Sequence, residues 1–261
     1  MSMLFPSTAN GTHLETIADV QVTVVQLTSG HSRAIVYLHG GGFIAGSPRS
    51  HRQHLKRLAR TCHAIVYAID YGLAPESPYP VALDEIQGVW TTLTANHRID
   101  PRHTIFMGDS AGGNLALASL IRFRHGQLPL PNGLVLLSPG LDATLSGESY
   151  AQQDSIDPLL NRQKLQQFVN SYVGDHSKRD PTVSPIFADL HGLPPLLVHV
   201  GSNELLLSDS LAIAAHAKRD GVDATLFVGQ GLWHGWHFHA MYVPEARLAM
   251  NNVAAFVTQH T

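Results

Sequence analysis

The chain has 261 residues, 44% of them hydrophobic, with 22 Gly and 15 Pro; that is enough apolar material for a sizeable core and excludes a disordered or collagen-like polypeptide. Its formal charge of −3 arises from 17 Lys+Arg against 20 Asp+Glu with no long run of either sign, so the basic footprint of a nucleic-acid binder is absent. Charged residues make up only 14%, while the 17 histidines equal Lys and Arg together, so net charge should swing sharply below neutral pH.

From Met1 to Gly11 there is no basic segment followed by an apolar one, so the start does not read as a signal peptide. No apolar run approaches the roughly 18 residues a membrane helix needs. With Cys62 as the single cysteine, neither an intrachain disulfide nor a thiolate metal cluster can form. The expectation is a soluble cytoplasmic protein. The first candidate strand is Val20–Leu27, followed across the short polar connection Thr28–Arg33 by Ala34–Leu38, which predicts antiparallel pairing of these two. A helix over Ser50–Thr61, a strand over Ala64–Ile69, a helix over Ala82–Asn96 and a strand over Thr104–Met107 come next, then a helix over Ala111–His125 and a strand over Gly133–Leu137. From Leu141 to Leu193 the rhythm breaks: polar residues and prolines abound, one good helix stands out at Arg162–Val173, and no strand is evident. An excursion that long reads either as a lid or as a solvated insertion. Leu196–Val200, a helix over Ser208–Arg219, Ala224–Val228 and a helix over Pro244–Thr258 complete the chain. Strands this short and this continuously apolar are buried on both faces, and their alternation with helices predicts a single α/β domain over 1–261 with a mostly parallel sheet.

The sharpest chemical signal is Gly108-Asp109-Ser110-Ala111-Gly112, directly after a strand and directly before a helix, the context that a G-x-S-x-G nucleophile turn requires. The glycines allow a sharp turn that lifts the Ser110 hydroxyl, and the helix N-terminus behind it offers free N–H groups. His39-Gly40-Gly41-Gly42 follows the Ala34–Leu38 strand; three consecutive glycines destabilise any regular element, so bare backbone is needed there. Beside the nucleophile turn this reads as an oxyanion hole built from the N–H groups of Gly41, Gly42 and Ala111. His39 abuts that hole and reads as a brace of the loop. Ligands and catalytic groups gather at strand carboxyl ends, and the last strand leads into GQGLWHGWHFH over 229–239, where His234 between Gly231 and Gly235 is the candidate base. A metal site of His234, His237 and His239 lacks an acidic co-ligand nearby, so no metal and no cofactor is expected. The acid should also follow a strand: Glu204 stands at the end of Leu196–Val200, whereas Asp209 reads as a first-turn acid of the next helix. The chain order Ser110, Glu204, His234 is that of the α/β-hydrolases.

These residues together resemble the hormone-sensitive-lipase-like, or family IV, carboxylesterases of the α/β-hydrolase superfamily. The likeness runs from about Ile35 to the end and rests on His39 to Gly42, Gly108 to Asn114, Tyr71-Gly72-Leu73-Ala74-Pro75-Glu76, Leu137-Ser138-Pro139, Ser184-Pro185, Leu193-Pro194-Pro195, Gly201 to Ser210 and Gly231 to His234. The resemblance implies an α/β-hydrolase fold, Ser110 as nucleophile, His234 as base, the backbone of Gly41, Gly42 and Ala111 as oxyanion hole, hydrolysis of small short-acyl esters and dimerisation through an edge strand. The chain departs from the family pattern where Gly72 replaces an arginine, in carrying Glu204 where many members have aspartate, and in a short N-terminal region. The cap is therefore expected to be reduced, formed from 1–19 and 141–193, over an open, shallow pocket walled by Phe43, Trp233 and Trp236. An amidase such as an arylformamidase, or a lactone hydrolase, would use the same triad. A non-catalytic receptor, of the kind the gibberellin receptors represent on this fold, is disfavoured by the intact His234.

Overall fold

Alternate residues of the central strands face two different cores, and that alternation organises the molecule. A computed structural model describes residues 11–27, 30 and 32–261. The strands are β1 (Thr12–Ile17), β2 (Val20–Val25), β3 (Ala34–Leu38), β4 (Ile65–Asp70), β5 (Thr104–Asp109), β6 (Gly133–Leu137), β7 (Leu196–Gly201) and β8 (Ala224–Gly229). Among the described residues they form one sheet in the order β1-β2-β4-β3-β5-β6-β7-β8. From β4 to β8 every pairing is parallel.

Seven helices accompany the described strands: α1 (Arg52–Thr61), α2 (Val81–Ala95), α3 (Ala111–His125), α4 (Ser149–Gln152), α5 (Arg162–Val173), α6 (Leu207–Arg219) and α7 (Pro244–Gln259). Val36, Leu38, Phe106, Leu134 and Leu136 pack with Trp90 of α2, Phe123 of α3 and Ile213 of α6 on one face. Ile35, Tyr37, Ile105, Met107 and Val135 pack with Leu55 and Leu58 of α1 and Val253 of α7 on the other. Both sets are removed from water, as strands buried on two faces should be. Helix α3 is buried at nearly every position because it lies close against the sheet; a Cβ on Gly112 would overlap the Leu38 carbonyl, so only glycine allows that approach.

Two expectations about the N-terminal part are corrected. β2 does not pair with β3. It pairs antiparallel with β4, from Gln21 opposite Asp70 to Val25 opposite Val66. The crossover through α1 places β4 beside β3, whose other edge is taken by β5, so the partner edge left for β2 is the far edge of β4. Residues 12–17, expected in the cap, are strand β1 of the sheet, joined to β2 by a two-residue hairpin at Ala18 and Asp19. Both turn residues have positive φ, 49° and 64°, the backbone that such tight hairpins need. Residues 1–10 of that expected cap lie outside the described residues. Between 141 and 193 the described chain holds α4, α5 and a short 3-10 turn at Pro185–Phe187, and no strand. No described helix is long and apolar enough to cross a membrane.

Candidate active site

Ser110 occupies the junction of β5 and α3 with φ 53° and ψ −120°, a left-handed backbone that an L-residue adopts only where its surroundings enforce it. The enforcement is visible. The Ser110 N–H donates to the Leu137 carbonyl at 2.9 Å, and its own carbonyl accepts from Gly113 N at 3.0 Å and from Asn114 N and Gly140 N at 3.3 Å each. A Cβ on Gly108 would overlap the Gly112 carbonyl, so the first glycine of the turn is a steric requirement.

Three separate strand ends then converge. His234 Nε2 lies 3.0 Å from Ser110 Oγ, and His234 Nδ1 lies 3.0 Å from Glu204 Oε2. Glu204 is wholly buried; its Oε1 accepts the Ser138 hydroxyl at 2.7 Å and the Gly201 N–H at 2.6 Å. Both carboxylate oxygens are thus committed, and the oxygen left for His234 is fixed in direction. Burial lowers the basicity of His234, but the bond to Glu204 and its charge outweigh that, so the imidazole pKa is raised above its ordinary 6.5. The segment supplying Glu204 is fastened in turn by Asp157, whose Oδ2 accepts from Leu205 N at 3.2 Å.

The glycine loop after β3 lies against this group. Gly41 (φ 131°) and Gly42 (φ 64°) both have positive φ; a Cβ on Gly41 would overlap the Ala45 carbonyl, and one on Gly42 the Phe168 ring. Inside the loop, Ile44 N and Ala45 N donate to the Gly41 carbonyl at 3.2 and 3.1 Å, which leaves the N–H groups of Gly41 and Gly42 unspent among the described residues. Ala111 is the first residue of α3, where no intrahelical carbonyl is available to its N–H. His39 braces the loop as expected: its ring stacks on Tyr71 at 4.3 Å, with Nδ1 2.9 Å from the Gly40 carbonyl.

Ser110, Gly42 and Ala111 open onto a cavity with mainly apolar walls. Much of its wall comes from the excursion between β6 and β7: Leu145, Tyr150 and, from α5, Leu165, Phe168 and Val169. The residues matched by a family model described as an alpha/beta hydrolase fold are 35–238. An esterase of Acinetobacter venetianus is 38% identical over 243 residues, 93% of this chain and 80% of that protein. An acetyl-hydrolase of Streptomyces hygroscopicus is 35% identical over 88% of this chain and 76% of its own length. The crystal structure of an esterase from the bacterial hormone-sensitive lipase family superposes with a TM-score of 0.93 at 36% identity, covering 98% of this chain and 86% of that one. The chain belongs to the hormone-sensitive-lipase-like carboxylesterases of the α/β-hydrolase fold.

Within this esterase the three expected pocket aromatics separate. Phe43 lines the cavity, stacked on Tyr172 at 3.9 Å. Trp236 does not line it. Gly235 takes a left-handed conformation (φ 77°) and turns the chain so that Trp236 is fully buried with Leu232, Ala240, Ala246 and Ala249 beneath α7. Trp233 is half-buried against that same cluster and is not among the cavity-lining residues. The wall residues of α5 escaped sequence reading because their apolar spacing is that of any amphipathic helix; a steric hint lay in Gly42, whose missing Cβ makes room for Phe168.

Two further positions settle differently from a simple family copy. The N–H of Gly72, where the family has arginine, donates to Glu85 Oε2 at 2.6 Å, so that carboxylate is partnered by backbone. Asp209 does not approach His234. Its Oδ2 accepts from Leu141 N at 2.6 Å, Asp142 N at 3.0 Å and the Tyr150 hydroxyl at 2.8 Å, tying the start of the excursion to α6. Burial pushes its pKa up to about 7 against those stabilising bonds. Among the described residues, Asp189, His191 and Asp220 bring metal-ligand atoms within 4.8 Å of one another at the surface; none of the site residues belongs to that set.

Proposed function

We propose that this esterase hydrolyses short-acyl carboxylic esters through an acyl-serine intermediate. The observation that carries the reading is the Glu204–His234–Ser110 relay, two contacts of 3.0 Å ending on a hydroxyl that opens into a small apolar cavity. In the first half-reaction His234 Nε2 takes the Ser110 proton as Oγ attacks the ester carbonyl, and the N–H groups of Gly41, Gly42 and Ala111 stabilise the oxyanion. The imidazolium then protonates the departing alcohol. Water enters, gives its proton to the same histidine and attacks the acyl-serine; collapse releases the acid and restores the Ser110 hydroxyl. Glu204 keeps Nδ1–H pointed at itself, so the lone pair of Nε2 faces Ser110 throughout, and it stabilises the imidazolium.

Short acyl groups are favoured by the bulk that Leu145, Tyr150, Leu165, Phe168 and Val169 place around the cavity. Trp233 and Trp236 are not assigned to substrate. Phe43 is the aromatic expected to touch the acyl group. Among the described residues β8 pairs with β7 alone, and this edge of the sheet is where a second copy is expected to add; light scattering on the purified protein reads that dimer directly. The activity assay is hydrolysis of p-nitrophenyl esters from acetate to palmitate. Turnover should peak at short chains and vanish in Ser110→Ala; a profile that rises toward palmitate, or survives the substitution, overturns the reading.

A further inference from the structure

Directly beside the nucleophile is a buried carboxylate that acyl transfer does not consume. Asp109 Oδ1 accepts the Gly40 N–H at 3.0 Å and the Tyr37 hydroxyl at 2.6 Å, and it lies 3.5 Å from His51 Nε2. Asp109 precedes Ser110 and Gly40 precedes Gly41, so one side chain joins the nucleophile turn to the glycine loop. Gly40 must itself be glycine, since a Cβ there would overlap Asp109 Oδ2. The carboxyl is kept ionised: burial raises its pKa, but His51 and the Tyr37 hydroxyl outweigh burial and lower it.

The partners of His51 favour its charged form. Nδ1 is 3.1 Å from the Ser47 carbonyl and 2.9 Å from the Ser50 hydroxyl, whose own proton goes to that carbonyl at 2.7 Å. Nε2 faces a carboxylate and Nδ1 the Ser47 carbonyl, both of which favour hydrogen on the ring. Burial lowers the basicity of His51, but the bond to Asp109, its charge and the Ser47 carbonyl outweigh burial and raise its pKa above 6.5, which favours the imidazolium. Its other neighbours leave the charge where it is. His39 lies 5.7 Å away, with Asp70 and the stacked Tyr71 behind it; Tyr37 of β3 lies 6.2 Å away. Phe238 meets the ring edge-on at 5.3 Å. On its own helix, His54, near Arg57, is driven by burial to a pKa of about 4, and burial also lowers that of His39, so both stay neutral.

We propose that His51 is a positioning residue for acyl transfer: as an imidazolium it balances Asp109, and through Asp109 it holds the Gly40 peptide so that the N–H groups of Gly41 and Gly42 aim at the developing oxyanion. This rests on Ser110 and Gly41–Gly42 acting as described under the proposed function. Catalysis then requires two histidines in opposite states, His234 neutral and His51 charged. Activity is lost at low pH as His234 protonates and at high pH as His51 deprotonates and leaves the Asp109 charge buried without its counter-ion.

The experiment is the pH dependence of kcat and KM for p-nitrophenyl butyrate in wild type, His51→Gln and His51→Lys, with folding of each checked by circular dichroism. In His51→Gln, kcat falls by roughly 10- to 100-fold, the scale of a misaimed oxyanion donor, KM changes less than about twofold, and the alkaline limb disappears. His51→Lys restores part of kcat and carries the alkaline limb to higher pH, because an ammonium keeps its proton there. A purely structural histidine would leave the shape of the profile unchanged. A folded His51→Gln enzyme with wild-type kcat and an unaltered alkaline limb overturns the proposal. If His51→Gln does not fold, a wild-type profile without an alkaline limb overturns it as well. Labelling of Ser110 by a fluorophosphonate, which also places an oxygen in the oxyanion hole, separates the two readings. No ester turnover with labelling that still follows His51 ionisation rejects the substrate assignment alone, and labelling indifferent to His51 rejects the positioning role.

Discussion

At the scale of single residues, the triad acid is the most discriminating position. Glu204 Oε1 is already occupied by the Ser138 O–H and Gly201 N–H donors, so in Glu204→Gln the amide oxygen must stay there and the NH₂ group must face His234 Nδ1. Two donors then oppose each other and the imidazole is driven into the wrong tautomer. Steady-state assays should show kcat reduced by roughly 10³- to 10⁴-fold with the fold intact. The raised pKa of His234 sets the acid side of the wild-type profile. The group is charged below its pKa and useless as a base, so kcat/KM should fall as pH drops, with a midpoint above 6.5. Weakening the Glu204 bond removes the cause of the rise, so residual activity in Glu204→Gln should have its acid midpoint at lower pH. Gly42→Ala is expected to cost about 10²-fold in kcat, because the new methyl meets the Phe168 ring and positive φ is strained for alanine. Retained activity there would mean that the Gly42 N–H is not a donor to the oxyanion.

Among elements, the excursion between β6 and β7 supplies much of the cavity wall, and α6 holds its beginning in place. All three hydrogen bonds to Asp209 end on one oxygen, so Asp209→Asn can keep them on the amide oxygen while deleting a charge that burial disfavours. The native pKa of about 7 lies above the carboxyl's ordinary 3.8. The protonated form therefore favours the fold, and stability from this group is present below pH 3.8 and lost as pH rises through 7. Thermal melts should show Asp209→Asn gaining on wild type between pH 5 and pH 8, with esterase activity preserved. Asp209→Ala should melt lower at every pH, because two peptide N–H groups and the Tyr150 hydroxyl lose their acceptor. Equal melts for Asn and wild type at pH 8 would show that the carboxyl carries no burial penalty.

For the molecule as a whole, the histidines decide its acid tolerance. Among the described residues, His54 and His199 are buried with no hydrogen-bond partner on either ring nitrogen, and burial lowers each pKa from 6.5 to about 4; that of His237, beside them, lies well below 6.5. A depressed native pKa means that the unfolded chain binds the protons first. The stability these rings contribute is complete above about pH 6.5 and is lost as pH falls toward 4. For His199 alone the linkage is worth about 3 kcal/mol, since each pKa unit is ~1.4 kcal/mol. Urea midpoints should fall steeply from pH 6.5 to 4, and His199→Phe should flatten part of that slope; an unchanged slope would place the acid sensitivity elsewhere.

The fold class was legible because continuous apolar strands alternating with helices leave few alternatives, and the whole of the parallel sheet from β3 to β8 follows that pattern. The meeting of Ser110, His234 and Glu204 was legible because each stands directly after a strand, where the sheet's parallel topology brings carboxyl ends together. Strand β1 was not, since Thr12–Ile17 is half-exposed and its hairpin uses Ala18-Asp19 where Asn-Gly would have signalled the turn. Strand order at that edge also escaped, because a short connection says two strands are near in sequence and nothing about which edge the crossover leaves open. Composition could not sort Phe43 from Trp233 and Trp236; a ring near the catalytic histidine fits substrate or core equally well until Gly235 turns the chain. The sequence by itself determined which residues stand as candidates at the site, since strand-end position and backbone freedom are local properties. Tertiary structure decided which side chains wall the cavity and which buried histidine faces a carboxylate. Those properties depend on neighbours distant in sequence, as Tyr172 is from Phe43 and Asp109 from His51, and on how far they exclude water.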